Sequence, residues 1–178
     1  AERYCVSVGM RPGICWSVPL NGAMTSSVTP KRILWLADES GEIIADMAII
    51  RFLVGLGHKV IIAVKERPLF SKTTIIDTQA DPTLSALLDG AEFITDPSLG
   101  KNALLRALRS DRHIYVLSDG TRENLNLLLA TTTFARLFNE VDGVISRGED
   151  QKRRFFNSHF QFTQDIFSIS AGVDGGAE

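Results

Sequence analysis

The residues whose types and spacing could do chemistry begin with an acidic run, Asp38, Glu39, Glu42 and Asp46. It starts where an apolar run, Ile33-Leu34-Trp35-Leu36, stops, and an amphipathic helix opens at Gly41. Acidic side chains at the carboxyl end of a strand stand where open α/β sheets bind their ligands. A carboxylate pair there suits a hard cation far better than a phosphate. Local roles compete with that assignment. Asp38 also suits a helix N-cap, Glu42 a first-turn partner of the helix dipole, and Asp46 a solvated helix position.

Three more polar segments, Lys65–Thr74, Ser118–Asn124 and Ser146–Asp150, follow apolar runs in the same way. If those runs are parallel strands, all four loops converge on one rim. Asp119 before Gly120 also suits a turn, and Arg147 a solvated loop cation. The alternation of elements predicts such a sheet. Strands are expected at 32–37, 59–64, 92–95, 113–117, 143–146 and 165–169. Helices are expected at 41–56, 72–79, 82–89, 101–109, 122–138 and 149–157. Apolar strands without polar alternation, in βαβα order, imply a three-layer α/β/α domain. Its sheet is expected to be mostly parallel, Rossmann-like, and of about six strands.

In the first helix Ile43, Met47, Ile50 and Val54 form an apolar stripe, with Ile44 and Ala48 widening it. Asp81 before Pro82 reads as an N-cap with proline at the first helical position. Residues 1–30 show neither period and are punctuated by Gly9, Pro12, Gly13, Pro19, Gly22 and Pro30, which predicts an extended arm. The domain is expected over 31–172 and a frayed terminus over 173–178.

Composition bounds the rest. The chain has 178 residues, 44% hydrophobic and 22% charged, enough for one core and too few for two. A net charge of −2 favours neither nucleic acid nor an anionic membrane. Lys152-Arg153-Arg154 is local and offset by Glu149 and Asp150. No apolar run reaches membrane-span length. Residues 1–30 are weakly like a transit-peptide remnant and unlike a secretory signal, so a soluble intracellular protein of cytoplasm or organelle matrix is expected. Cys5 and Cys15 suit inert thiols or a disulfide. GxGxxG, Walker A and GxSxG sequences are absent, and Ser40 argues against a haloacid-type phosphatase. His58, His113 and His159 are scattered; His58, after a helix-ending glycine, is expected at the surface.

Taken in order, the motifs resemble those of the damage-control metal phosphatases. These proteins have the acidic-residue-methyltransferase-like fold, found also in the phosphatase domain attached to some pantothenate kinases. Asp38-Glu39-Ser40-Gly41-Glu42-Ile43 with Asp46 resembles their Asp-Asn-Ala-Gly-Glu-Ile…Asp. Val64-Lys65 with Pro68 resembles Val-Lys-x-x-Pro. Ser71-Lys72-Thr73-Thr74 with Asp77 resembles Asn-Asp-Ala-Thr…Asp. Ser118-Asp119-Gly120 with Asn124-Leu125 resembles a glycine-containing substrate loop. Ile145-Ser146-Arg147-Gly148-Glu149 resembles Ile-x-Lys-Gly-Asp/Gln, and Gln151, Arg153 and Phe155 echo its continuation.

The resemblance implies one divalent cation (Co²⁺, Ni²⁺, Mn²⁺ or Mg²⁺) acting on a small phosphorylated metabolite. It implies metal ligation by Asp38 and Glu39, and catalytic roles for Asp38, Glu42 and Asp119. It implies substrate contacts from Lys65, Ser118, Gly120, Arg147 and Gly148. Three features depart from the family pattern. Glu39 replaces an asparagine. Lys72 stands in place of the third ligand, an aspartate, so Asp38, Glu39 and Lys72 read as a salt-bridged relic of a metal site. The family's Lys-Cys is not found near Ser170-Ala171, and the roughly thirty residues before the first strand are not expected to hold the family's helical N-terminal domain. Two functions follow as expectations. One is a metal-dependent phosphatase acting on a small phosphate ester. The other is a catalytically degenerate member with no cation, acting as a ligand-binding or structural subunit, with residues 1–30 as a partner-binding segment.

Overall fold

The structure, a computed structural model, describes residues 4–9, 29–122, 126–156 and 161–171. Among them the strands are β1 (Tyr4–Gly9), β2 (Arg32–Leu36), β3 (Lys59–Val64), β4 (Glu92–Ile94), β5 (Ile114–Ser118), β6 (Gly143–Arg147) and β7 (Asp165–Ala171). The helices are α1 (Glu42–Gly55), α2 (Asp77–Ala80), α3 (Pro82–Leu87), α4 (Lys101–Leu108), α5 (Thr132–Glu140) and α6 (Glu149–Phe156).

One sheet runs in the order β1-β7-β6-β2-β3-β5-β4. The six strands from β2 onward are mutually parallel, as the α/β pattern predicts. β1 is a seventh strand, antiparallel to β7, with Tyr4 opposite Ala171 and Gly9 opposite Ile166. The first part of the expected arm is therefore sheet edge. The rest of it, residues 10–28, lies outside the described residues, as do the expected C-terminal fray, Cys15, His159 and the Asn124-Leu125 motif.

Alternate residues of the central strands point to opposite faces, and both faces are buried. Leu34, Ile61, Tyr115 and Leu117 pack with Leu104 of α4, Phe134 and Leu137 of α5, and Phe155 of α6. Trp35, Val60, Ile62 and Val116 pack with Ile43, Met47 and Ile50 of α1 and Leu84 of α3. That gives three layers. Full burial of each such side chain stabilises by about 1.5 to 3 kcal/mol. It also explains why these strands read as unbroken apolar runs.

Local chemistry sets the element ends. Asp81 accepts a hydrogen bond from Leu84 N at 2.8 Å and so caps α3, with Pro82 in its first turn. Three expectations are corrected. The helix expected at 122–138 begins only at Thr132, because Thr131 caps it by accepting from Phe134 N at 3.2 Å. The helix expected at 72–79 is confined to Asp77–Ala80. Residues 71–75 instead lie extended across the strand ends, with Lys65 N donating to Thr73 O and Ile75 N to Lys65 O. Ile44 and Ala48 do not join the buried stripe of α1: both are exposed, because at 3.6 residues per turn they stand roughly 100° or more around the helix from the centre of the Ile43, Met47 and Ile50 stripe.

His58 also departs from expectation. It is 8% exposed, and its Nδ1 accepts from Lys31 N at 3.0 Å. Burial, with Lys31 beside it and against the pull of Asp142, holds its pKa below the usual histidine value.

Candidate functional site

The chain leaves β2 toward β3 on one side of the sheet and returns on the other side through β6. Between β2 and β6 the loops diverge, and the crevice they leave is where open α/β sheets receive ligands. Asp38, just past β2, and Gly148, just past β6, meet across it. Gly148 has φ +83°, and a Cβ there would collide with the Asp38 carboxylate. Glycine is thus required twice over, for backbone conformation and for room. Asp38 is buried and does not cap α1; the residue preceding that helix is Gly41, with no side-chain cap bond.

The extended strip 71–75 carries Lys72 to the acidic turn. Thr73 N donates to Asp38 O at 2.8 Å, Ser40 N donates to Ser71 O at 2.8 Å, and Glu39 and Lys72 form an isolated antiparallel bridge. Lys72 Nζ lies 2.5 Å from Asp38 Oδ1 and 2.7 Å from Glu39 Oε1. The hydrogen bond from Lys72 holds the Glu39 carboxyl below its usual range. Burial pulls the Lys72 ammonium down, but its bonds to Asp38 and Glu39 outweigh that and hold its pKa above the ordinary value.

A second ion pair closes the next gap along the rim. Lys65 Nζ lies 2.6 Å from Asp119 Oδ2 and donates to Thr121 Oγ1 at 2.9 Å. The other oxygen of Asp119 accepts from Thr121 N at 2.8 Å and from its hydroxyl at 2.9 Å. Asp119 is therefore both a turn residue and a charge partner. Gly120 has φ +78° and packs so closely on Thr131 that a Cβ would strike its methyl group. Gly120 N donates to Ser118 Oγ at 3.0 Å. Ser118, Gly120, Thr131, Thr133, Asp96 and Glu66 line part of a cavity of about 410 Å³ at this rim. A larger cavity, about 560 Å³, opens at the opposite, amino end of the strands beside Arg32 and Lys59. Size does not make it the site, because open α/β sheets receive their ligands at the carboxyl end of the strands.

The third cluster lies beneath the crevice. Arg147 Nε is 2.9 Å from Asp46 Oδ2, and its NH2 group is 3.2 Å from Glu42 Oε2. Its remaining nitrogen donates to Ile169 O at 3.3 Å. Trp35 Nε1 donates to the same Asp46 oxygen at 3.1 Å. Burial pushes the Asp46 carboxyl up, although Arg147 and Trp35 pull it down. Arg147 is thus tied on all three nitrogens. Asp46, which also suits a solvated helix position by sequence, is buried, and Trp35 and Thr121 join the clusters without being marked by any motif. Two signals were available: Asp46 lies one turn after Glu42 on the same helix, and a buried indole N–H needs an acceptor.

The predicted residues therefore form one rim of three clusters: Asp38, Glu39, Gly148 and Lys72; Lys65, Asp119, Ser118 and Gly120; and Arg147, Glu42 and Asp46. As they stand, Asp38 and Glu39 are bound to the Lys72 ammonium, and the set does not fit a divalent cation. Among the described residues no group of three or more His, Cys, Asp or Glu side chains could hold a metal. Asp38 and Glu39 are two ligands, and an ammonium fills the third position, without a lone pair to give while charged.

No curated protein matches the chain. Among solved structures it is similar to a DUF89 family protein from Pyrococcus horikoshii, with 24% sequence identity and a TM-score of 0.55. The match covers 79% of this chain but only 39% of that one, so this chain spans well under half of that relative's length. At that identity the likeness shows the fold. Among the described residues no helix is long and apolar enough to cross a membrane. The family model for the damage-control phosphatase ARMT1-like domain matches residues 19–171, a span that takes in every motif of the rim, and the chain belongs to that family.

Proposed function

We propose that this chain is a phosphatase-like domain that receives a small phosphate ester at the carboxyl rim of its sheet. The observation that carries this is the seat of Asp38 against Gly148 at the crevice between β2 and β6. Two separated family motifs meet there in a geometry that only glycine permits. Ser118 and Gly120 border the neighbouring cavity, which is large enough for a small metabolite. Lys72 bonds two carboxylate oxygens and keeps one N–H for a ligand anion, beside the buried Lys65–Asp119 pair. Arg147 acts as a positioning residue that ties the end of β6 to α1.

The family chemistry is metal-dependent hydrolysis, with Asp38 and Glu39 as ligands and Asp38, Glu42 and Asp119 as catalytic groups. As they stand, these residues do not fit the cation, so the proposal stops at binding of the ester. A second function, a catalytically degenerate ligand-binding or structural subunit, is favoured by one observation: the Lys72 ammonium between two would-be ligands.

A panel of sugar phosphates and phosphopantetheine-type esters tests the proposal, each compared with its dephosphorylated counterpart. Thermal protection by the phosphorylated member of a pair, and not by the other, is the expected result. Equal protection, or none across the panel, would sink it. Release of inorganic phosphate in the same assays, with each of the four divalent cations, separates a phosphatase from a binding domain.

A further inference from the structure

We infer that Lys72 is the resident cation of this rim, standing against Asp38 and Glu39 where a divalent ion would otherwise sit and making ligand binding there independent of divalent metal. The cation half of this stands on geometry alone, and the ligand half rests on the phosphate-ester reading above.

The ammonium is built in. Its backbone strip is joined to the acidic turn by Ser40 N to Ser71 O and Thr73 N to Asp38 O, and the Thr73 hydroxyl donates to Asp38 O at 3.2 Å. On its other side Lys65 N donates to Thr73 O at 2.9 Å. Lys72 is thus held by main-chain bonds on both flanks, with its side chain only 13% exposed. Asp38 in turn is confined by Gly148. The main-chain bonds fix both backbones, and the ammonium leaves only by a side-chain rotation that breaks both of its carboxylate bonds.

The chemistry of an ammonium differs from that of a divalent ion in two ways. It neutralises one charge instead of two, leaving the Asp38, Glu39 and Lys72 cluster at −1. It donates hydrogen bonds but is no Lewis acid, so it cannot lower the pKa of a bound water to generate a nucleophile. A site organised around Lys72 holds an oxyanion through its third N–H and lacks a metal-activated water.

The test uses the full chain and Mn²⁺ alone, by titration calorimetry and thermal melting, on wild type, Lys72→Asp and Lys72→Ala. Wild type is expected to show neither saturable Mn²⁺ binding nor a Mn²⁺-dependent rise in melting temperature. Lys72→Asp is expected to bind one Mn²⁺ about tenfold or more tightly than wild type, as restoring a ligand should. Lys72→Ala, which only removes the ammonium, is expected to move the same way and keeps the test decisive if Lys72→Asp does not fold. Stoichiometric Mn²⁺ binding by wild type, or no gain in either folded variant, would overturn the cation assignment. Inorganic phosphate supplies the second arm. Protection of wild type that survives EDTA and disappears in Lys72→Ala is expected. Protection abolished by EDTA would overturn metal independence. Absence of any phosphate or ester protection would sink the phosphate-ester reading, while the Mn²⁺ titration still decides whether Lys72 is the cation.

Discussion

Two lysines meet carboxylates at neighbouring strand ends, and they are not equivalent. Lys65 and Asp119 are matched one to one, with side chains 5% and 6% exposed, and Thr121 takes up the remaining contacts on both. Lys72 faces two carboxylates, one of which, Glu39, keeps a third of its side chain in water. A buried, balanced, fully bonded pair has no capacity left for a divalent ion and serves as structure. A part-exposed cluster whose ammonium keeps one N–H still offers a donor to a ligand. The same residue types thus support different roles, and the difference lies in stoichiometry and solvent access.

The largest expected effect comes from unbalancing the closed pair. Asp119→Ala leaves a buried ammonium without its counter-ion and should cost about 3 to 5 kcal/mol in chemical denaturation. A loss below about 1 kcal/mol would mean that the pair is solvated and that the contrast with Lys72 is false. Gly148→Ala comes next. It forces a side chain into a left-handed backbone position and against Asp38, and a cost of about 1 to 3 kcal/mol is expected from the backbone alone. Its crystal structure should show Asp38 displaced; an unmoved Asp38 would contradict the close seat.

Lys72→Met sharpens the comparison from the other side. Lys72→Met leaves the buried Asp38 carboxylate without its partner, while Glu39 stays part-exposed, so a loss of about 1 to 3 kcal/mol is expected, under that for Asp119→Ala. A loss as large as that for Asp119→Ala would make the Lys72 cluster equally structural.

Smaller effects follow from pH. The Glu39 carboxyl is held below its usual value in the folded chain, so its contribution is present above the unfolded value of 4.5 and lost as pH falls through the folded one. Glu39→Gln should therefore flatten the stability curve below pH 4.5. His58 has a lowered folded pKa, so its neutral form supports the fold above 6.5 and that support fades as pH drops below it. His58→Gln should reduce the change in melting temperature between pH 7 and pH 5; an unchanged difference would remove His58 from the account.

Much of this frame was legible in the chain because it depends on local pattern. Unbroken apolar runs predicted a sheet covered on both faces, and Asp81-Pro82 predicted its own cap. The Lys72 substitution pointed to a salt bridge with Asp38 and Glu39, and the two bonds are present. What stayed hidden depends on distant partners. Arg147 meets Asp46 across 101 residues of sequence, and its full engagement cannot be read from either neighbourhood. The late start of α5 turns on a hydroxyl cap at Thr131, where the preceding leucines alone suggest a longer helix. The strip 71–75 lies extended because it completes main-chain bonding to Asp38 and Lys65, which overrides local helical pattern. β1 joins the sheet through pairing with β7, more than 150 residues away, a contact with no local signature.

The central claim is that an ammonium, and no divalent ion, stands between Asp38 and Glu39. Crystals of the wild-type protein soaked in Mn²⁺ and measured at the manganese absorption edge test it directly. The account predicts no anomalous peak within bonding reach of the two carboxylates, with continuous density from Lys72 to both. An anomalous peak bonded to Asp38 and Glu39, with Lys72 turned away, would contradict it.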